Sequence, residues 1–325
     1  MRRRDVVGLI GSATVAWPLA VRAQAAVPII GFISAGSRAA LRDELEAFEA
    51  GLKQLGFFPG HNVTLEYRFA AGQYERFQEL VADLVRRQVS VLAVSSPPAA
   101  LAAKRATTTI PIVFSIGADP VAAGLVPTLS RPGGNITGIY QFTTGLQAKR
   151  LGLLHEMVPK VETIGVLVNS NYPTADSQIR DVGDAATSLG VQLIIVHANK
   201  ENEFDAAFST VVAQHAGALL VCASPFFNAA RQQLIILAAR NGLPSIFEWR
   251  DYAAAGGLMS YGTDLSEAYH QVGVYAARIL KGEKPSDLPI VQSTKFAFVI
   301  NLSTAKALHI EVPPTLSARA DEIIE

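Results

Sequence analysis

From Pro28 onward, short apolar runs alternate with segments whose apolar residues recur every three to four positions. The first kind of pattern predicts strands, at Pro28 to Ser34, Val63 to Phe69, Val89 to Val94 and around Ile110 to Ser115. The second predicts amphipathic helices, at Ala39 to Leu55, Phe77 to Val85 and the alanine-rich stretch after Pro97-Pro98. In the first helix Leu41, Leu45, Phe48, Leu52 and Leu55 form the apolar stripe, and Gly56 is a suitable stop. The order strand, helix, strand, helix predicts an α/β fold, parallel sheets with helices on both faces.

The same order restarts after the loop Arg131-Pro132-Gly133-Gly134-Asn135. Strands are predicted at Thr163 to Val168, Val191 to His197, Ala218 to Cys222 and Pro244 to Phe247, and helices at Ala175 to Leu189, Phe204 to Gln214 and Leu234 to Arg240. Three landmarks recur at nearly one offset. Ile30-Gly31-Phe32-Ile33 matches Ile164-Gly165-Val166-Leu167, Val94-Ser95-Ser96-Pro97 matches Cys222-Ala223-Ser224-Pro225, and Pro111-Ile112-Val113-Phe114 matches Pro244-Ser245-Ile246-Phe247. That period is too long for a solenoid and implies two Rossmann-like lobes. A leftover helix, Leu265 to Leu280, and a strand, Lys295 to Ile300, imply that the chain returns to each lobe. Crossings are expected near 139–144, 261–264 and 284–289, forming a three-strand hinge. The first lobe is then 26–140 plus 264–284, and the second 141–263 plus 285–325.

Residues 1–25 differ in kind. Arg2-Arg3-Arg4, an apolar run from Val6 to Val21 broken by Pro18, and Ala23-Gln24-Ala25 have the layout of a secretory signal peptide, and Arg3-Arg4 followed by Asp5-Val6-Val7 has the look of a twin-arginine one. The run is too short to span a bilayer. Without the leader's four arginines and one aspartate, 24 basic and 27 acidic residues remain, a net charge of −3. That charge argues against nucleic acid or an anionic membrane as partner. The single cysteine, Cys222, allows no internal disulfide and lies in an apolar run, as a buried small hydrophobe would. No cysteine follows the leader to be lipidated, so a soluble periplasmic monomer is expected.

In open parallel sheets, ligands bind beyond the carboxyl ends of the strands. Those ends offer Ser34, Ser37, Ser95, Ser96, Ser115 and Gly117 in the first half, and Asn169, Tyr172, Ser224, Phe226, Glu248 and Trp249 in the second. Ser96 suits an N-cap and Pro97 the first helical position, and the helix start with its hydroxyls suits a carboxylate. Tyr172, Phe226, Phe227 and Trp249 stand where polar loops are the norm; one or two should cover an apolar ligand body, with Phe227 the most core-like. Glu248 suits a ligand ammonium. Asp119 and Asp264 read as N-caps. No G-x-S-x-G, G-x-G-x-x-G after a strand, P-loop, H-E-x-x-H or C-x-x-C occurs, and the six histidines are scattered. No catalytic residue, metal or cofactor is therefore expected.

The chain resembles the substrate-binding proteins of ABC transporters, specifically the tryptophan/tyrosine-type subfamily. The resemblance rests on the leader ending Trp17-Pro18-Leu19-Ala20-Val21-Arg22-Ala23-Gln24, on Gly51-Leu52-Lys53-Gln54-Leu55-Gly56, and on Gly117-Ala118-Asp119-Pro120-Val121 with Arg131 to Gly138. It continues in Glu248-Trp249-Arg250-Asp251-Tyr252-Ala253 and in Gly256 to Gly262. It implies a type I periplasmic-binding fold, an ABC permease in the inner membrane as partner, and a small ligand, an amino acid or related carboxylate. Amino-acid binders of that fold hold the carboxylate at first-lobe loops, here Ser95, Ser96, Ser115 and Gly117, and the ammonium with a second-lobe acid, here Glu248. Pro97-Pro98 stands where many members have small or glycine-rich residues; it removes two N–H donors and shifts weight to the serine hydroxyls. The alternatives are a sugar or nucleoside receptor of the same fold, or an exported enzyme using a cleft Ser or Asp.

Overall fold

The computed structural model describes residues 27–325. The signal-peptide reading of residues 1–25 lies outside the described residues. The first lobe contains β1 (Ile29–Ser34), α1 (Arg42–Gln54), β2 (Thr64–Phe69), α2 (Phe77–Arg86), β3 (Val91–Ser95), α3 (Pro97–Ala106), β4 (Ile112–Ile116) and β5 (Ile136–Tyr140). The second contains α4 (Gln147–Met157), β6 (Thr163–Val168), α5 (Ala175–Leu189), β7 (Gln192–His197), α6 (Phe204–Ala213), β8 (Ala218–Val221), α7 (Pro225–Ala229), α8 (Arg231–Arg240), β9 (Ser245–Phe247), α9 (Arg250–Ala254) and β10 (Met259–Thr263). Then come α10 (Leu265–Leu280), β11 (Val291–Gln292), β12 (Phe296–Asn301), α11 (Leu302–Ala307), α12 (Pro314–Ser317) and β13 (Glu322–Ile324).

One sheet runs β11-β5-β4-β3-β1-β2 and the other β13-β12-β10-β9-β8-β6-β7. Ignoring the added edges, both have the doubly wound order 2-1-3-4-5, so the two halves repeat in topology. Every pairing is parallel except β10 with β12. The central strands are buried on both faces, which is why they read as unbroken apolar runs.

Four strands were not legible in the pattern, β5, β10 and the short edge strands β11 and β13, and the first two each carry a crossing. β5 contains Gly138, where a side-chain carbon would lie 2.2 Å from the Phe114 carbonyl oxygen. β10 contains Gly262, where it would lie 1.9 Å from that of Glu248. The glycines read as loop but serve close approach of neighbouring backbones.

The third crossing differs from expectation. Residues 285–292 stay with the first sheet: Leu288 is fully buried, Thr137 Oγ1 donates to its carbonyl at 2.6 Å, the Tyr275 hydroxyl donates to Pro289 O at 2.7 Å, and β11 pairs with β5. The chain passes to β12 only after Gln292. Pro285 and Pro289 suggested a crossing, but Leu288 and Ile290 anchor the segment by burial.

α10 returns to the first lobe and packs on α1 across Gly51 and Gly273. A side-chain carbon on Gly51 would lie 2.1 Å from His270 O, and one on Gly273 would lie 2.1 Å from Phe48 O. Around this crossing Phe48, Leu52, Tyr269, Val272 and Ala276 join one apolar cluster with Phe32 of β1. Gly51→Ala is expected to force the helices apart and destabilise the chain by about 1–3 kcal/mol, the cost of overpacking. Urea unfolding should show a lower midpoint at unchanged slope; an unchanged midpoint would mean the two helices yield without cost.

Candidate functional site

The carboxyl ends of both sheets face one cavity between the lobes, where open parallel sheets place their ligands. Its first-lobe wall is made of hydroxyls. Ser34, at the end of β1, accepts a hydrogen bond from Ser95 Oγ of β3 at 2.8 Å and another from Gly36 N at 3.1 Å. Ser115, at the end of β4, accepts one from Gln141 Nε2 at 2.8 Å. These acceptor roles leave the Ser34 and Ser115 hydroxyl protons free to turn toward a ligand.

Ser96 caps α3, its Oγ accepting from Ala99 N at 3.4 Å, with Pro97 at the first helical position. Its backbone sits at φ 124°, ψ 148°, a region that glycine occupies almost alone and that costs a side-chain-bearing residue of order 1–3 kcal/mol. Pro97 and Pro98 have no N–H, and the Ala99 N–H is taken by Ser96. The first turn of α3 therefore presents side-chain hydroxyls in place of a backbone cradle.

The second-lobe wall consists of Tyr172, Pro225, Asn228, Glu248 and Trp249, with Leu41, Leu265 and Tyr269 closing the space. Glu248 follows β9 and is 5% exposed. Burial pushes its carboxyl up to about 8, while the charge of Arg150 and the Ser224 backbone N–H pull the other way. Arg150 is itself fully buried, and the same desolvation lowers its pKa. Burial pushes the Cys222 thiol up to about 12, so it is a neutral packing group.

Of the residues expected at the site, Ser34, Ser95, Ser96, Ser115, Gly117, Tyr172, Glu248 and Trp249 line this cavity. Ser37, Asn169, Ser224 and Phe226 stand elsewhere. Ser37 accepts from Ala40 N at 3.2 Å in the turn into α1. Asn169 donates to Ser224 Oγ at 3.0 Å and accepts from Asn171 N at 3.0 Å, which fixes the loop after β6. Ser224 caps α7, its hydroxyl accepting from Phe226 N at 3.2 Å. Phe226 packs on Phe204 and Phe227, ring centroids 5.5 Å away in each case. All four follow a strand, but their side chains are used locally before they can reach the cavity. Phe227 is fully buried in the core, as its position suggested.

Sequence reasoning missed Gln141, Asn228, Tyr269 and Arg150. Gln141 follows β5, a strand hidden by Gly138, while Tyr269 projects from the returning helix and Arg150 lies on α4, where the strand-end rule does not look. The lobes also touch at the rim. The Tyr74 hydroxyl of the first lobe accepts from Phe226 N at 3.1 Å and lies 3.5 Å from Ser224 Oγ, and Arg231 Nη2 donates to Ala40 O at 3.3 Å. This is a closed arrangement. Among the described residues, no group of three or more His, Cys, Asp or Glu side chains is placed to hold a metal, and no helix is long and apolar enough to cross a membrane.

Two repeated lobes, three crossings and a cavity between facing strand ends define a type I periplasmic-binding architecture. The chain belongs to the ABC transporter substrate binding protein family, whose model matches residues 26–324. It is thus a small-ligand binder of an ABC system. A tyrosine-binding protein of Clostridioides difficile is 27% identical over 269 residues, 82% of this chain and 76% of that protein. A conserved domain protein of Vibrio cholerae shares 27% identity with a TM-score of 0.84, covering 91% of this chain and 99% of the other. A Streptococcus pneumonia protein in complex with L-Trp has the same fold at 23% identity and a TM-score of 0.83, again over 91% and 99% of the two chains.

The strain at Ser96 yields a separable prediction. Ser96→Gly should leave stability unchanged or raise it by about 1 kcal/mol, since the relief of strain outweighs the few tenths lost with the cap. If the hydroxyl meets the ligand, the same variant binds it more weakly. Chemical unfolding and calorimetry on one preparation separate the two effects, and a clear loss of stability would show that the backbone there is unstrained.

Proposed function

We propose that this chain is the periplasmic receptor of an ABC importer for an amino acid, aromatic ones being the first candidates. The carrying observation is Glu248, an acid taken out of water in the wall of the cavity, opposite a wall of hydroxyls. A ligand ammonium would supply the opposite charge that a buried carboxylate needs. The Ser34 and Ser115 hydroxyls, with Ser96 beside them, suit the ligand carboxylate, and Tyr172, Trp249 and Leu41 suit its apolar body. The tyrosine-binding relative and the L-Trp complex support the choice of amino acids to try first.

In this reading the ligand touches both lobes, so it binds the closed form better than the open one, and that difference drives closure. The closed form is what the membrane permease would read. The leader of residues 1–25 would deliver the chain to the periplasm, where it acts as a monomer and releases its ligand unchanged.

The test is a thermal-shift screen of the twenty amino acids, aromatic acids and sugars, followed by calorimetry. A ligand at one hundred times its Kd should add about 2.7 kcal/mol of stability. Glu248→Ala should weaken ammonium-bearing ligands by more than about tenfold, the scale of a lost charged hydrogen bond. Stabilisation by sugars with none by amino acids would replace this reading with a sugar receptor. Recovery of a chemically altered ligand after long incubation would replace it with an enzyme.

A further inference from the structure

Asn169, Ser224 and Phe226 follow strands of the second lobe, yet they stand outside the cavity lining. They form one connected group at the rim. Ser224 Oγ accepts from Asn169 Nδ2 at 3.0 Å and from Phe226 N at 3.2 Å, which occupies its lone pairs and leaves its proton free to donate. A side chain of the first lobe completes the group. The Tyr74 hydroxyl accepts from the same Phe226 N–H at 3.1 Å and lies 3.5 Å from Ser224 Oγ, within reach of its proton.

The apolar parts fit as well as the polar ones. Tyr74 packs against an apolar core of the first lobe and against one of the second, and its ring stacks on Phe77 with centroids 6.1 Å apart. Two residues earlier, Gly72 has a φ of 79°, and a side-chain carbon there would lie 3.3 Å from Phe226 Cδ2. The Phe226 ring of one lobe thus lies over bare backbone of the other. Both halves are fastened to the cavity walls. Gly72 N donates to Ala35 O at 2.7 Å and Ala71 N to Gly36 O at 3.4 Å, and Ala35 and Gly36 line the cavity. On the other side, Pro225 and Asn228 of α7 line it. Just past α7, Arg231 Nη1 donates to Asn228 O at 3.4 Å and Nη2 to Ala40 O of the first lobe at 3.3 Å. The first lobe therefore holds α7 near its start through Tyr74 and just past its end through Arg231.

We propose that Tyr74 is a positioning residue, the first-lobe half of an interlobe catch whose socket is Asn169, Ser224 and Phe226, and that this catch lets the lobes close before a ligand arrives. Its contacts join protein atoms of opposite lobes, so it forms when the lobes meet, whatever the cavity holds. The affinity measured for a ligand is its affinity for the closed form scaled by the fraction of molecules already closed. The catch raises that fraction and so strengthens binding without touching the ligand. This rests on the reading that the ligand binds the closed form, and it is independent of which ligand that is.

Two arms test it on the whole protein. The first adds no ligand. Small-angle scattering of the wild-type protein should show a closed fraction, and Tyr74→Ala should shift the profile toward the open form, with Tyr74→Phe between them. Identical profiles for wild type and Tyr74→Ala overturn the proposal, as does a wild-type profile that open molecules alone account for. Tyr74→Phe keeps the ring on Phe77, so it carries this arm by itself if the alanine variant does not fold.

The second arm measures Kd and dissociation rate with L-tyrosine and L-tryptophan as probes. Tyr74→Phe should weaken binding roughly two- to tenfold, the worth of one net hydrogen bond, with most of the change in the dissociation rate. Ser224→Ala should weaken it too, and the double variant should lose less than the product of the two, because both substitutions break the same catch. Independent effects in that cycle, or a lower urea midpoint with an unchanged Kd, would make Tyr74 a packing residue of the first lobe and overturn the catch. If neither probe binds the wild-type chain, the aromatic amino-acid reading falls, and the scattering arm alone decides whether the catch closes the lobes.

Discussion

Taking the Glu248 carboxylate out of water between two lobes costs free energy that only donors and positive charge recover. Much of the architecture around it can be understood from that cost. The parallel sheets bring β9 to the cavity so that its carboxyl end delivers an acid there. The Ser224 backbone N–H and the buried Arg150 offset part of the penalty but leave the carboxyl well above its ordinary range. The remaining imbalance favours an occupant with a positive group. The same feature disfavours a fully apolar guest, which would close the cavity over an acid and answer none of its charge.

The opposite wall works by a different chemistry. Many anion sites use backbone N–H groups at a helix start. Here Pro97 and Pro98 remove two of those groups, and the wall is built from serines whose hydroxyls already bond to one another and to Gln141. A hydroxyl can rotate to donate or accept, whereas a backbone amide only donates. Such a wall tolerates different oxygen arrangements on the ligand. The serines and proline at the mouth of β3 thus have two uses: they start α3, and they line the cavity with adjustable donors.

How far the fold could be read in advance depended on what each residue does in the chain. Strands buried on both faces, such as β3 and β4, announce themselves as apolar runs, and their ends gave Ser95, Ser96 and Ser115 directly. β5 and β10 were hidden because Gly138 and Gly262 look like loop residues until the neighbouring backbone is seen pressing on them. The third crossing was misplaced because two prolines outweighed the apolar signal of Leu288. Ser37, Asn169, Ser224 and Phe226 occupy suitable sequence positions, yet local hydrogen bonds and ring packing hold them off the cavity. Tyr269 and Arg150 reach the site region from helices, so a rule about strand ends could not find them.

The close crossing of α1 and α10 joins stretches of sequence separated by an entire second lobe. Until residue 280 has been synthesised, the apolar stripe of α1 has no helix to cover it. The sheet of the other lobe is likewise incomplete until β13 near the carboxyl terminus. Neither lobe can therefore finish folding from a nascent amino-terminal piece, and no single cut in the chain separates them into self-sufficient halves. Such long-range closure predicts slow, concerted folding, with a sticky intermediate exposed while the carboxyl-terminal segments are awaited.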